Sequence, residues 1–460
     1  MVDVYVIGGG LPELAAALEL GEVGLSVRLG DWDLGSAEPA VGRAHAEAGG
    51  DSTSALLDPD GVLRQLLDHV AAPIAEGGHA HTGARPVAVP PSAVLVHGAK
   101  AHWVPQPVPA SLGIPAVPIS SQAVAVLGGR AAARAYLDRV KPVLTIGKAH
   151  SLGDLVRNRL GETVVERLVD PFVRERFGVA PDDVEVAVAV PGLNEALTRA
   201  GSLSGAVLAN SDRDVARETA VIPEAGWGAA FAGLHQRLEL YGAKRADATV
   251  VAVERIGDEA WRIEEADGTT VEARAVVAGL DAGSAFAAGR VLHALPGELL
   301  PRRWRLEVRT AVAGAPLEAR QSDALCAVQL SDGSRWAVRI EATEPGEGRA
   351  RLSGPAFEAA ANETGLPAEH RARSESAAAE ALAGVGLSAG AASEAILRVA
   401  PHISVDERDA ALRSLQACRE NTDDLLAVGD ALHGGSVAAA VADARTQAVL
   451  LRRRLAGIAD

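Results

Sequence analysis

Three short stretches carry residue types and spacings that could do chemistry. The first is Gly8-Gly9-Gly10, which follows the apolar run Val2 to Ile7 and precedes Leu11-Pro12-Glu13. Glycines at the end of a strand let the backbone turn tightly and come close to a ligand. A helix that begins there offers unpaired N–H groups and a positive dipole end to an anion. Asp31 stands about 20 residues further on, near the spacing at which a dinucleotide-binding βαβ unit places the acid that meets a ribose hydroxyl. The second stretch is Gly429-Asp430, after the apolar run Leu425 to Val428, leading through His433-Gly434-Gly435 to Ser436. It reads as another anion-facing turn. The third is Phe172 to Val179, where Arg174 and Arg176 flank Glu175. The two arginines could line a pocket for an anionic substrate, and the alternation of sign suits a salt-bridged surface equally.

Glu13 stands where the third glycine of the pattern would be, and it admits two readings. In one, Pro12 and Glu13 are helix-start residues, the acid satisfying the helix dipole. In the other, the carboxylate faces a bound pyrophosphate. Two unit charges about 6 Å apart at an effective dielectric of about 20 repel by roughly 3 kcal/mol. That is about a hundredfold in affinity.

Other chemistries find little support. The Gly-Ser-rich stretch 201–205 lacks the Gly-x-Ser-x-Gly spacing of a nucleophile turn. His79 and His81 lie among glycines with no nearby Cys or acidic ligand, so a solvated loop explains them better than a metal site, and no metal is expected. Cys326 and Cys418 are the only cysteines; they form no disulfide framework and are expected to be inert in a reducing, cytoplasmic compartment. Sixty acidic against 44 basic side chains leave a charge of −16, which argues against nucleic acid as a partner. No apolar stretch is long enough for a transmembrane helix, and the opening residues do not read as a signal peptide.

The elements that must position these residues are legible from periodicity. Val2–Ile7 reads as a buried strand, Leu14–Leu20 as a helix and Leu25–Leu29 as a second strand. The runs 249–254, 261–266 and 270–277 form a three-strand meander with turns at Gly257-Asp258 and Asp267-Gly268, the last strand ending at Ala278-Gly279. Asp332-Gly333 marks a hairpin between 325–330 and 336–340. The run 437–455 is a long helix ending in Arg452, Arg453 and Arg454, where cations suit the dipole. At 460 residues with 48% hydrophobic and 23% charged side chains, the chain can bury more than one core.

An opening βαβ unit, a central meander and a late Gly-Asp turn together resemble the flavin amine oxidase superfamily. Within it the chain is most similar to the protoporphyrinogen and coproporphyrinogen oxidase family. The segments that carry the likeness are Val6-Ile7-Gly8-Gly9-Gly10, Leu112-Gly113-Ile114-Pro115, 152–162, 165–171 and Ala427-Val428-Gly429-Asp430 with His433-Gly434-Gly435. The resemblance implies an α/β fold: a Rossmann-like FAD-binding domain of the glutathione-reductase type, an interleaved α+β substrate domain and a helical subdomain. The implied division gives FAD-binding parts at 1–75, 216–285 and 405–460, substrate-domain parts at 76–109 and 286–404, and the helical subdomain at 110–215. FAD would contact Gly8, Gly10, Leu11, Asp31, Val251, Gly429, Asp430, Gly435 and Ser436. Arg174, Arg176 and His433 would face a small-molecule substrate, which gives up hydride to the flavin, with O₂ or another acceptor reoxidising it; a homodimer is compatible with this.

The chain also departs from the pattern. The family's Gly-Gly-Arg segment is replaced by 33–38, its Gly-Val-Tyr-Ala-Gly segment by 172–179, and a basic residue before 93–96 by Pro90-Pro91-Ser92. These departures bring in two alternatives: an amine or other small-molecule oxidase of specialised metabolism, and a descendant of the FAD fold with a non-redox, partner-binding role.

Overall fold

The computed structural model describes residues 1–33, 55–74, 80–91, 94–100, 102–142, 150–257, 260–281, 284–292, 299, 301–313, 323–341, 348–358 and 368–458. The segment 34–38 and His79 lie outside them. The strand Val2–Ile7 is flanked in parallel by Val27–Gly30 on one side and Thr270–Gly279 on the other. Leu425–Val428 pairs in parallel with the far end of Thr270–Gly279, and Lys244–Arg245 extends the opposite edge. Val4 and Val6 pack into one core and Tyr5 and Ile7 into another, so both faces of the sheet are covered. That explains why the opening strand reads as a continuous apolar run and does not alternate. Helices Leu11–Gly21 and Val437–Leu455 cover one face together, through Leu14, Ala17, Val441 and Ala444.

The meander is present as Val250–Ile256, Ala260–Glu265 and Thr270–Gly279, antiparallel throughout. It ties to the parallel sheet through a buried polar triad. Glu265, 1% exposed, accepts Tyr5 Oη at 2.8 Å and a two-pronged Arg28 guanidinium at 2.8 Å on each oxygen. A carboxylate this deep is stable only while its cation is present. Arg28→Met is therefore expected to lower unfolding free energy by about 3 kcal/mol, read from urea denaturation, whereas an exposed change such as Arg413→Met leaves it within about 0.5 kcal/mol.

A second sheet holds Arg303–Ala313, Ala324–Gln329, Arg335–Ile340, Gly348–Ser353 and Ser388–Val399, and takes in Leu95–His97 and Trp103–Pro105 from early in the chain. Asp332-Gly333 makes its expected hairpin. Helices between 121 and 218, among them Leu152–Leu160, Asp170–Phe177 and Leu203–Glu218, form their own core, which Leu325 and Ala337 of the second sheet join. The chain enters this region through Gly113, whose backbone sits so close to Leu168 that an added Cβ would stand 1.9 Å from its carbonyl oxygen. Only glycine fits there.

No helix among the described residues is long and apolar enough to cross a membrane. Cys326 and Cys418 are buried free thiols, and burial pushes Cys326 up to about 12. No group of three or more His, Cys, Asp or Glu side chains among the described residues could hold a metal ion.

Candidate functional site

The glycine turn forms as the spacing requires. Gly8 has φ +117° and donates its N–H to the Gly30 carbonyl at 2.8 Å; Gly10 caps the helix, its carbonyl accepting from Leu14 N–H at 3.0 Å. Leu11 is buried in the first turn. Asp31 emerges at the end of the neighbouring strand, half exposed and 3.7 Å from Arg245. Val251 lies in the first meander strand, next to Val250, whose N–H donates to the Asp31 carbonyl at 2.7 Å.

The second turn lies across the same sheet end. Gly429, at φ +129°, runs against Leu280, so a Cβ on it would be 2.2 Å from the Leu280 carbonyl oxygen. Asp430 opens a short helical turn, and burial, with Asp281 nearby, pushes its carboxyl up to about 7. Gly435 donates its N–H to the Asp430 carbonyl at 2.8 Å, and Ser436 caps the long helix by accepting from Ala439 N–H at 3.3 Å. Gly434 and Gly435 pack against His402 and Val399 of the second sheet's end. His433 turns away into this scaffold: its Nε2 lies 3.2 Å from Asp443, which Arg419 also holds. It anchors the turn to the long helix.

At the first turn a side chain takes the approach to the glycines. Glu13, 2% exposed, folds its side chain back into the glycine cradle. A Cβ on Gly10 would meet its Oε2 at 2.5 Å, one on Gly279 its Oε1 at 2.5 Å, and one on Gly8 its Cγ at 3.1 Å. Oε2 has no hydrogen-bond partner among the described residues. Burial pushes this carboxyl well above the usual range, and the charges that act most on it, Asp281, Asp430 and Asp31, are all acidic and push it the same way. In a dinucleotide site these glycines exist to let a pyrophosphate approach the backbone. Here a carboxyl group occupies that approach, with three further acidic residues acting on it. The residues present do not fit the pyrophosphate of FAD.

The other half of the candidate site is strongly basic. Arg305, Glu307 and Arg309 alternate along one face of the strand Arg303–Ala313, and Arg398, Arg351 and Arg339 stand on the same face of neighbouring strands. Glu175, from helix Asp170–Phe177, reaches this face. It accepts from Arg339 at 2.5 and 2.7 Å and from Arg351 at 3.1 Å, and these guanidinium groups hold its carboxyl down near about 2 against its burial. Arg398 in turn acts on Asp430, so the basic face adjoins the second turn. Arg174 bonds to Asp170 at 2.7 Å, and Arg335 also meets Asp170. Arg176 is exposed on its own helix, yet burial pulls its pKa down while the Glu218 charge acts to raise it.

The chain matches no protein-family model and no curated protein. Solved structures do match over nearly full length. A protein assigned as a protoporphyrinogen oxidase from Exiguobacterium sp. 255-15 aligns with TM-score 0.67 at 16% identity, covering 98% of this chain and 99% of that one. Reduced UDP-galactopyranose mutase aligns with TM-score 0.57 at 11% identity over 100% and 96%. Cyclohexylamine oxidase from Brevibacterium oxydans IH-35A aligns with TM-score 0.51 at 12% identity over 99% of each chain. These are members of the flavin amine oxidase superfamily, and the mixed α/β, Rossmann-like fold of this chain is the fold they share.

Proposed function

We propose that this chain uses the flavin-oxidoreductase fold without a dinucleotide in the glycine cradle, as a binding protein for a small molecule held beside the basic face of the second sheet. The observation that carries this reading is Glu13, whose side chain packs against Gly8, Gly10 and Gly279 and whose pKa Asp31, Asp281 and Asp430 all raise. Residues 1–75, 216–285 and 405–460 then serve as scaffold, while 76–109, 286–404 and the helical part 110–215 enclose the ligand. The chain's own residues bind and orient; none is assigned a redox step.

A second reading is favoured by the Gly8 and Gly429-Asp430 turns, both with positive φ at their glycine, at the ends of the strands that flank Thr270–Gly279 on either side. In it the protein is an FAD-dependent oxidoreductase on a porphyrinogen, an amine or another small molecule, with O₂ or another acceptor. Purification and a visible spectrum separate the two. The first reading expects colourless protein that takes up no FAD on dialysis against an excess at neutral pH. Stoichiometric flavin, bound as isolated or on dialysis, overturns it in favour of the second.

A further inference from the structure

We propose that Arg305 and Arg398 form a binding site for an oxyanion-bearing small molecule, a carboxylate or phosphate group seating between the two guanidinium groups. The starting observation is register. Arg305 and Arg398 lie directly opposite on antiparallel strands, and so do Arg309 and Arg351, and Arg351 and Arg339. Like charges placed opposite one another on one face are destabilising unless something of the other sign lies between them.

For the row of Arg309, Arg351 and Arg339 that something is in place. Glu175 and Asp323 bond Arg339, Glu175 bonds Arg351, and Glu307 bonds Arg309 at 2.8 Å. The row of Arg305 and Arg398 is different. Arg398 has Glu307 only at 3.7 Å. Arg305 bonds no carboxylate among the described residues: its guanidinium reaches the Glu175 backbone carbonyl, and its Nε is buried without a partner. Arg305 lies deep enough that burial pulls its pKa down, with Arg398 and Arg351 acting in the same direction against Glu307 and Glu175. Yet the pair is not sealed off, Arg398 keeping 21% of its side chain exposed. Glu307 acts on both guanidinium groups but bonds Arg309 at 2.8 Å, so the pair shares a carboxylate already engaged elsewhere. A cation pair that is deep, reachable and served only by such a shared carboxylate among the described residues is what an oxyanion with forked acceptor oxygens fits.

The inference takes from the proposed function only that this face is a ligand site, and it stands whether or not flavin is held. The test measures binding of tricarballylate and of inorganic pyrophosphate to the full chain by calorimetry, against sodium chloride at matched ionic strength. At least one probe is expected to bind, and Arg398→Met to weaken it about tenfold to a hundredfold, the loss of a charge-assisted pair. The exposed Arg413→Met control stays within about twofold. Binding of the tricarboxylate alone identifies a carboxylate ligand, and of pyrophosphate alone a phosphate. If Arg398→Met does not fold, Arg398→Lys keeps the charge and loses the fork, with a several-fold loss expected. Failure of both probes to exceed the salt control, or equal binding by the Arg398 variant, overturns the site. Flavin absorbance of the same samples is scored separately: flavin-loaded protein that binds an oxyanion through Arg398 overturns the flavin-free reading and leaves this one intact.

Discussion

Glu13→Gly binds FAD about tenfold to a hundredfold more tightly than the unaltered chain, measured by equilibrium dialysis or quenching of flavin fluorescence at neutral pH. The expectation has two parts. In its ionised form the carboxylate, within about 6 Å of a pyrophosphate at an effective dielectric of about 20, costs roughly 3 kcal/mol, or about a hundredfold; burial and the neighbouring acids raise its pKa, so proton uptake removes part of that cost and leaves the volume the group fills. The second part is space. Gly8, Gly10 and Gly279 have no Cβ atoms, and among the described residues Glu13 is the side chain that packs against all three. Glu13→Gln separates the two contributions, because it removes the charge and keeps the bulk. Recovery by Gln assigns the block to charge; recovery only by Gly assigns it to volume. The unaltered chain should gain FAD affinity as pH falls, since burial and the neighbouring acids raise the Glu13 pKa and protonation removes the repulsion. Equal FAD affinity of the Glu13→Gly variant and the unaltered chain would mean that the carboxyl swings aside at no cost, and the flavin-free reading would fail.

Glu175→Gln is expected to destabilise the fold by about 3 kcal/mol, seen as a lower urea midpoint with unchanged slope. Glu175 joins Asp170, which meets Arg335, in tying the helical region to the second sheet, and it serves Arg339 and Arg351 at once. Removing its charge leaves both guanidinium groups buried with reduced compensation, and breaking one partner of such a pair costs more than the pair contributes. The pH dependence follows from the sign of the shift. The folded carboxyl titrates near about 2, below its ordinary value of 4.5. Its contribution is therefore complete above about pH 4.5 and is lost as pH falls through about 2, and the difference corresponds to about 3 kcal/mol. The unaltered protein should lose stability across that acid window, and the Glu175→Gln variant should show a correspondingly shallower loss. A variant as stable as the unaltered chain at neutral pH would show that Glu175 is not what holds the two layers together.

Much of the scaffold was legible because its signals are local. The strand Val2–Ile7, the strand Leu425–Val428 and the helix Val437–Leu455 fall where apolar runs and glycine turns place them. The second strand runs Val27–Gly30, later than the run beginning at Leu25, because Leu25 packs at the edge of the core before pairing starts. The same local reading stops at Glu13. From sequence it is a dipole-satisfying acid or a charge on a phosphate; that it folds back among Gly8, Gly10 and Gly279 depends on Gly279, which is far away in the chain. Asp281 comes to act on it by the same long-range closure. The basic face had a signal of its own. Arg305, Glu307 and Arg309 sit two apart in an apolar strand, which puts all three on one side, but the opposing Arg398 and Arg351 come from strands whose register no spacing announces. Arg176 stood out as a charge in an alternating run; Glu218, whose charge acts on it, closes a different helix.

The strand Thr270–Gly279 lies between residues 2–7 on one side and residues 425–428 on the other. The sheet therefore closes only by joining segments separated by most of the chain, and such pairings are slow because loop entropy is lost before contacts form. During synthesis the first glycine turn emerges long before Gly279 and Asp430, the residues that wall its cradle. The nascent chain thus has a bare Gly8-Gly10 turn and a solvated Glu13 for most of its time on the ribosome. The three glycines that Glu13 packs against are complete only once Gly279 has been made, so the carboxyl cannot take its buried place before more than half of the chain exists.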